Sequence, residues 1–267
     1  MFLRFEAQLN GRKFSDIAPE LILRDIAETP ADMDVSTMRF ANKPGQRMSS
    51  MVRTSLSVRL VYVIRTQDIQ RRMEIRDLIM EWAGNGGMLT INTRPGKMLN
   101  VVCEYDTALE SSLRWTQDLS LTLTAYGFPY WCDAAETVKV VKSNSTNQGL
   151  NSYAGTVYMS GQRDAYVSVS IHNNGNGAMT KLNITCDETV IKLSGMSLPA
   201  GHVVRIYYDN DVLRIIDNTA TPSVSLLSYR TADSNDDLML PAGMDSIIHV
   251  SADQAFDGTI SARGVWL

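Results

Sequence analysis

The stretch "LRWTQDLSLTLTAYGFPYWCD", residues 113–133, joins two patterns that decide the fold. Residues 119–125 alternate leucine with serine and threonine, which is the two-residue period of a strand with one buried face. Aromatic residues then crowd around Pro129, which cannot continue a central strand. We interpret this segment as the last strand of a first domain, followed by a core and hinge where the chain enters a second domain. The predicted hinge and core residues are Trp115, Tyr126, Pro129, Tyr130 and Trp131.

The chain before this stretch is predicted to be a β domain that carries a single helix. Asn10-Gly11 between apolar runs is the strongest short signal for a hairpin. Residues 30–50 lack a clear period and contain Pro44-Gly45, so a long exposed loop is expected there. Strand alternation resumes in "TSLSVRLVYVIR", residues 54–65.

Residues 67–83 have the period of an α-helix. Apolar side chains recur there at the i, i+3, i+4 and i+7 spacing. Thr66 is the expected N-cap, and Gly84 with Gly86-Gly87 is expected to end the helix. The predicted apolar stripe consists of Ile69, Met73, Ile75, Leu78, Ile79 and Trp82.

The chain after Asp133 lacks a helical period, and short strand patterns recur between turns rich in Asn, Asp and Gly. This texture is typical of an antiparallel sandwich. The segment "NNGNG", residues 173–177, is interpreted as a hairpin turn and not as a phosphate loop, because no helix follows it. We therefore predict a β domain over 1–133, a linker over 134–137 and a β-sandwich over 138–267.

The composition argues against a main partner that is a polyanion or a membrane. The chain has 267 residues, of which 44% are hydrophobic, and a net charge of −4. Basic and acidic residues balance up to Asp133, so the acidic excess lies in the second part, and neither part has the basic excess of a nucleic-acid reader. No apolar run approaches the roughly 20 residues of a membrane span. Charges in the N-terminal "MFLRFEAQLNGRKF" argue against a signal peptide, and three widely spaced cysteines favour a reducing compartment.

No set of residues has the spacing of a catalytic, cofactor or metal site. His172, His202 and His249 lie far apart, without a matched partner nearby in sequence, and no HExxH pattern occurs. No GxSxG or Ser-x-x-Lys signature is present. Acidic pairs such as Asp236-Asp237 occupy turn sequences, where Asp is favoured for its own backbone contacts. We therefore predict a non-enzyme that uses no cofactor and no metal.

Several of these segments together resemble the distal tail proteins of long-tailed phages with non-contractile tails. The resemblance runs from the N-terminal hairpin and "RTSLSVRL" (53–60) through the helix ending in Trp82-Ala83-Gly84 to the turn "NTRPGKML" (92–99). It ends in "SLRWTQDLSLTLTAYGFPYW" (112–131) and covers residues 1–133 best. The second half is similar only in texture, for example in the Pro-Ala-Gly turns that lead into strands.

The resemblance implies an N-terminal split-barrel-like β domain with one packed helix, whose copies form a ring, usually hexameric, at the distal end of the tail tube. It also implies a C-terminal galectin-like antiparallel sandwich that serves as a docking platform. The expected partners are other copies of the chain, the tail tube protein, the hub or tip protein and receptor-binding or adhesion proteins, with DNA only in transit through the channel. The expected location is the virion tail tip, after assembly in the cytoplasm of the bacterial host. The residues expected at the subunit or hub interface are Phe40, Pro44, Gly45 and Arg47, because a long polar loop is usually functional, together with Arg94 and Pro95 of the 92–99 turn.

The competing prediction is a carbohydrate-binding β-sandwich protein that contacts the host cell surface. Sugar sites often use an exposed aromatic face, and residues 138–267 contain one tryptophan, Trp266, at the end of the sequence. A tube-forming tail protein is a neighbouring alternative, and an enzyme that cleaves the host wall ranks last because paired carboxylates are missing. The sequence leaves open the host, the ring stoichiometry, the docked proteins, glycan binding by the second domain, and whether the particle is a phage, a prophage remnant or a gene-transfer particle.

Overall fold

A computed structural model describes residues 4–39, 47–104, 118–145, 151–209 and 212–267, without the side chains of 30–32, 47, 51 and 145. The chain divides into two compact units, Met1–Trp131 and Cys132–Leu267. Antiparallel strands dominate both units, and the described ranges contain one α-helix. The prediction of a mainly β protein with a single helix is therefore confirmed, whereas the split-barrel and galectin-like assignments and the 134–137 linker stay predictions.

Unit 1 consists of one antiparallel sheet and a helix. Its elements are β1 (Ala7–Leu9), β2 (Arg12–Lys13), β3 (Leu21–Met38), β4 (Arg47–Ile64), α1 (Ile69–Ala83), β5 (Gly87–Ile91), β6 (Lys97–Glu104) and β7 (Leu119–Ala125). The sheet has the strand order β2-β1-β5-β6-β7-β4-β3. A short strand, β8 (Trp131–Asp133), follows at the boundary between the units.

The first turn is formed by Asn10 and Gly11, as the sequence predicts. Their φ angles are 52° and 80°, the left-handed pair that a type I′ hairpin needs and that Asn and Gly adopt most easily. The Asn10 side chain also ties the hairpin to the segment after α1. Its Nδ2 donates to the Gly86 carbonyl and its Oδ1 accepts from the Met88 N–H, both at 2.9 Å.

Helix α1 begins later than predicted, at Ile69, and has a different cap. The Asp68 carboxylate accepts from the backbone N–H groups of Gln70 and Arg71, at 2.9 and 3.4 Å. Thr66 accepts only from the Asp68 N–H, at 3.2 Å. The residue directly before the first turn is the one whose side chain reaches the free amides at the helix start. The prediction of Thr66 as N-cap is therefore wrong.

The buried face of α1 is narrower than predicted. Ile75, Ile79 and Trp82 are buried, but Ile69 and Met73 are 57% and 51% exposed. Met73 lies two residues before Ile75, which is roughly 200° around the helix axis. Ile69 and Met73 lie on the same side of the helix as each other, and that side faces away from the core. The prediction that they extend the buried stripe is therefore wrong.

The core of unit 1 gathers around Phe14. Its ring meets Tyr62 and Trp82 edge-on, with centroids 5.4 and 5.2 Å apart. The indole N–H of Trp82 donates to the Arg12 carbonyl at 2.9 Å. Burying one side chain of this kind contributes about 1.5–3 kcal/mol, so the three rings hold the helix on the sheet.

The predicted loop over residues 30–50 is largely strand, so that prediction is wrong. Strand β3 continues to Met38 and β4 starts at Arg47. The register between them shifts at Thr29/Asp32, Asp32/Met33 and Ser36/Thr37, and each irregularity displaces the alternation of faces. A two-residue period is therefore lost from the sequence although the backbone pairing persists. Residues 40–46 lie outside the described ranges.

Unit 2 contains two antiparallel sheets. Alternate residues of its central strands are buried, as in a β-sandwich. One sheet has the order β10-β11-β19-β13-β14 and the other β17-β16-β15-β12-β20-β9, with β18 paired to β12. The elements are β9 (Thr137–Lys142), β10 (Asn144–Ser145), β11 (Asn151–Met159), β12 (Ala165–Asn173), β13 (Met179–Cys186), β14 (Thr189–Leu198), β15 (Val203–Asp209), β16 (Val212–Asp217), β17 (Val224–Ser225), β18 (Met239–Leu240), β19 (Met244–Ala252), β20 (Phe256–Ala262) and β21 (Val265–Trp266).

The "NNGNG" segment connects the two sheets of unit 2, so its interpretation as a hairpin turn is wrong. It follows β12 in one sheet and precedes β13 in the other. Asn173, fully buried, anchors the crossing because its Nδ2 donates to the carbonyls of Gly177 and Leu198, each at 2.9 Å. Its Oδ1 accepts from the Gly175 N–H at 3.0 Å. Sheet crossings and hairpins draw on the same turn residues, which explains the error.

Candidate functional site

Strands β3 and β4 extend past the rest of the sheet in unit 1. Strand β7 pairs with β4 only from Leu56 to Tyr62, whereas β3 and β4 stay paired out to Met38 and Arg47. We call residues 30–38 and 47–55 the arm. In the described part of the chain, each strand of the arm pairs only with the other. The arm therefore presents backbone N–H and C=O groups along both of its edges.

The arm exposes apolar side chains on both faces. Met33 and Val35 lie on one face, and Val52, which pairs with Asp34, lies on the other. Exposed apolar groups that cluster on one element mark interaction surfaces more often than scattered ones do. The exposed apolar residues and their exposed fractions are Met33 46%, Val35 46%, Met38 56%, Met48 60% and Val52 58%.

The base of the arm is fixed by a carboxylate that two distant segments share. The Arg94 Nε lies 2.9 Å from Glu28 Oε1 and 2.8 Å from Oε2. The indole N–H of Trp131 donates to Glu28 Oε2 at 3.2 Å. The Arg94 guanidinium also stands over the Trp131 ring, with its Cζ 5.4 Å from the ring centroid. Because Trp131 is fully buried, these contacts hold β3 against the interior of unit 1.

The neighbouring aromatic residue holds the other strand of the arm. The Arg53 guanidinium stands over the Tyr130 ring, with its Cζ 5.1 Å from the centroid. The Tyr130 ring in turn meets Phe128 edge-on, with centroids 5.1 Å apart. We call Glu28, Arg53, Arg94, Tyr130 and Trp131 the root clamp. The clamp ties both strands of the arm to consecutive aromatic residues.

The predicted hinge and core residues occupy different environments. Trp131 and Pro129 are buried and Tyr130 is half-buried, whereas Tyr126 is 54% exposed. The Tyr126 hydroxyl donates to the Glu104 carboxylate. Trp115 lies outside the described residues. A hinge role for this set stays a prediction.

The predicted interface residues also separate. Arg94 belongs to the root clamp, while Pro95 is exposed in the tight turn between β5 and β6. In that turn the Lys97 N–H donates to the Arg94 carbonyl at 3.2 Å, and Gly96 has a φ of 73°, which is the type II pattern for Pro-Gly. Phe40, Pro44 and Gly45 lie outside the described ranges, as does the side chain of Arg47. Their role in an interface stays a prediction.

Sequence reasoning missed Glu28 and Arg53. Both are charged residues inside strands, and nothing in their immediate neighbours points to an aromatic partner. Glu28 lies 103 residues from Trp131, a separation that no local pattern encodes. The one usable signal was the Tyr130-Trp131 pair, since buried tryptophans need a partner for their indole N–H.

Polar side chains in unit 2 form local pairs. His172 Nδ1 lies 3.3 Å from Asp257 Oδ1, and His202 Nδ1 lies 2.7 Å from Asp217 Oδ2. These carboxylates lie 85 and 15 residues from their histidines in the sequence, and strand pairing and turn closure bring each pair together. In the described residues no three His, Cys, Asp or Glu side chains come close enough to hold a metal ion. Helix α1, in unit 1, is too short and too polar to span a membrane, and no other described helix could do so.

Comparisons with known proteins bear on the fold. No family model and no curated protein matches the sequence. The Dit protein of phage SPP1, a paradigm of the hub adsorption apparatus in phages that infect Gram-positive bacteria, matches with a TM-score of 0.66 and 12% identity over 98% of this chain and 99% of that one. A chain of the phage P2 baseplate, in its activated conformation with Ca, matches with a TM-score of 0.51 and 9% identity over 99% and 98% of the two chains. The resemblance to phage distal tail proteins is thus confirmed at the level of the fold, from end to end.

Proposed function

We propose that this chain is a structural component of a phage tail, and that six copies form a ring at the distal end of the tail tube. The ring joins the tube to the hub or baseplate and gives adhesion proteins a docking platform around the DNA channel. The observation that carries the proposal is the likeness of fold to SPP1 Dit, which covers 98% of this chain and 99% of that one. Because it includes both units, it supports a role for the whole chain and not for one domain.

The arm supports self-association as the first step of assembly. A strand edge that pairs with no other described strand is a template for pairing with another chain, and each strand of the arm has such an edge. Contacts between two different surfaces of identical subunits close into a ring when the rotation between subunits permits it. The exposed apolar residues of the arm add surface whose burial favours such contacts.

The remaining partners follow from the same proposal. The ring contacts the tail tube protein on one side, the hub or tip protein on the other, and receptor-binding or adhesion proteins at its periphery. It is located at the virion tail tip after assembly in the cytoplasm of the bacterial host. DNA passes through in transit, and the balanced charge of residues 1–133 suits a channel that must not retain phosphates.

The direct test measures the size and shape of the assembled protein. Light scattering after gel filtration should give six times the 29.6 kDa of one chain, and negative-stain microscopy should show closed rings. The measurement is made on the protein alone and on protein co-expressed with its tail hub protein, since the hub can nucleate assembly. A monomer under both conditions would falsify the proposal.

A further inference from the structure

The outward face of the larger sheet of unit 2 carries an ordered group of hydroxyls. In β12 and β20 the buried residues alternate with outward ones, and the outward ones align across the strands. Ser168 stands opposite Ser261, and Ser170 stands opposite Thr259. We call these four residues the hydroxyl array. Directly opposite side chains in a sheet have Cβ atoms roughly 4.5–5.5 Å apart, so the four hydroxyls form a small lattice.

The hydroxyls of the array are available to a ligand. All four residues are half-buried or exposed, and none of their side chains bonds to any other described residue. The Thr189 hydroxyl, by contrast, lies 3.0 Å from the Cys186 carbonyl, to which it can donate, and accepts from the Met239 N–H at 3.1 Å. The array is therefore a set of donors and acceptors that face solvent with no structural task in the described chain.

A held arginine borders the array. Arg205 stands opposite Ser170 on the next strand, and its Cζ lies 4.9 Å from the centroid of the Tyr207 ring. Stacking on the ring restricts the guanidinium while its donors stay exposed. No carboxylate of a described residue forms an ion pair with Arg205. Arg214, opposite Tyr207, has only a loose ion pair with Asp209 at 3.9 Å.

The charge on this face is opposite in sign to the charge of the rest of the unit. The net charge of −4 arises after Asp133, yet this face carries Lys142, Arg205 and Arg214 against Asp209 and Asp257, a net charge of +1. Lys142 stands opposite Asp257 and Arg214 pairs with Asp209, so Arg205 is the cation that has no carboxylate partner among the described residues. An anionic ligand is therefore favoured here although the unit as a whole is acidic. On the far side of the array, Val140 pairs with Thr259 and is 70% exposed, which gives an apolar border next to the hydroxyls.

We propose that this face binds an acidic saccharide, that is, a sugar polymer that carries carboxylate or phosphate groups. The hydroxyl array forms hydrogen bonds with the hydroxyls of the sugar, and Arg205 forms an ion pair with the anionic group. Val140 contacts the apolar side of the sugar ring. A nucleic acid is less well matched because the aromatic side chains beside the array already have partners. Arg205 covers Tyr207, Tyr166 stacks on Tyr208, and His172 pairs with Asp257, whereas stacking on bases needs open ring faces. A protein partner would require a larger apolar centre than valines at one border. The site does not depend on ring formation.

The test measures saccharide binding to the full-length chain by titration calorimetry. The acidic probes are trigalacturonic acid and a phosphorylated maltotriose, the neutral probe is galactotriose, and the polyanion control is a short single-stranded DNA of equal charge. Arg205→Gln should weaken binding of an acidic probe about 10-fold or more, because it removes a charge-assisted contact. Thr259→Val keeps the shape and should weaken it about 2- to 10-fold. Lys181→Gln, an exposed cation on the other sheet, is the matched control and should have no effect.

Each outcome of the titration either supports the proposal or overturns it. Saturable binding of an acidic probe, stronger than binding of galactotriose and reduced by Arg205→Gln but not by Lys181→Gln, supports the proposal. Absence of binding to both acidic probes, equal binding of the DNA, or binding that neither Arg205→Gln nor Thr259→Val changes would each overturn it. Melting curves of the variants show whether a lost signal comes from lost folding, and Thr259→Val serves as the second variant if Arg205→Gln proves unstable.

Discussion

The indole N–H of Trp131 donates to the Glu28 carboxylate across 3.2 Å, and so joins the last residue of unit 1 to the strand from which the arm extends. Arg94 approaches the same carboxylate within 2.9 Å. Three segments that are distant in sequence therefore depend on one side chain. The aromatic cluster of residues 126–131 thus serves at least one internal task, which is to hold the base of the arm.

Replacing Trp131 by alanine should lower the free energy of unfolding by about 3–5 kcal/mol, because it leaves a cavity in a packed core. Trp131→Phe keeps an aromatic ring and loses the N–H donor, so its cost should be smaller. Urea unfolding of both variants measures the difference. Unchanged stability in the alanine variant would mean that the residue does not anchor unit 1.

Replacing Glu28 by alanine should lower the free energy of unfolding by about 1.5–3 kcal/mol, because Arg94 and the Trp131 N–H lose a charged acceptor. Asp77→Ala is the matched control, since Asp77 pairs with Arg76 on the surface of α1 and such pairs contribute at most about 1 kcal/mol. Thermal melting compares the two. Equal effects would argue against a special role of the root clamp.

Replacing Val52 by aspartate should prevent ring assembly without lowering the melting temperature, because it puts a charge on the exposed apolar surface of the arm. Val224→Asp in unit 2 is the control, since the two valines are 58% and 52% exposed. Light scattering gives the size of each variant. A ring of unchanged size and stability in Val52→Asp would show that the arm face is not a subunit contact.

The three thiols should react slowly in the folded protein. Burial raises the pKa of Cys103 and Cys132 to about 11 and that of Cys186 to about 12. At pH 8 iodoacetamide should modify them much faster in urea than in buffer. Because unfolded thiols ionise near pH 9 while folded ones keep their protons, stability is unaffected below pH 9 and declines as the pH rises toward 11. Replacing all three by serine should flatten that decline, and an equally steep decline in the variant would assign it to other groups.

Gly201→Ala and Gly243→Ala should each lower the free energy of unfolding by roughly 1 kcal/mol or more, because their φ angles of 81° and 72° strain any residue with a Cβ. Both follow a Leu-Pro-Ala sequence, and an added Cβ would meet no atom within 4 Å. The cost is therefore backbone strain and not a clash. Gly127→Ala, which has equal space and no positive φ, should be close to neutral in the same denaturation assay.

Local chemistry predicts the elements that depend on near neighbours. Asn10-Gly11 forms its hairpin, and the phase of Ile75 and Ile79 places the helix on the core. The errors arise where neighbours compete or where distance matters. Asp68 outcompetes Thr66 because it is two residues nearer to the helix start. Register shifts between β3 and β4 interrupt the two-residue period of residues 30–50, so these strands could not be predicted from the alternation of apolar and polar residues. Glu28 could not be assigned because its partners lie at positions 94 and 131, and only the folded sheet brings them together.

The root clamp also separates two properties of the arm that are usually coupled in a long hairpin, its direction and its reach. The direction of the arm is set by the contact of Arg53 with the Tyr130 ring and by the hydrogen bond from Trp131 to Glu28. Reach is set only by the number of residue pairs beyond that point, at about 3.4 Å per residue. Adding or removing pairs toward the tip would lengthen or shorten the arm while the core of unit 1 stays as it is. A chain built this way can fit rings or tubes of different width through changes confined to one segment.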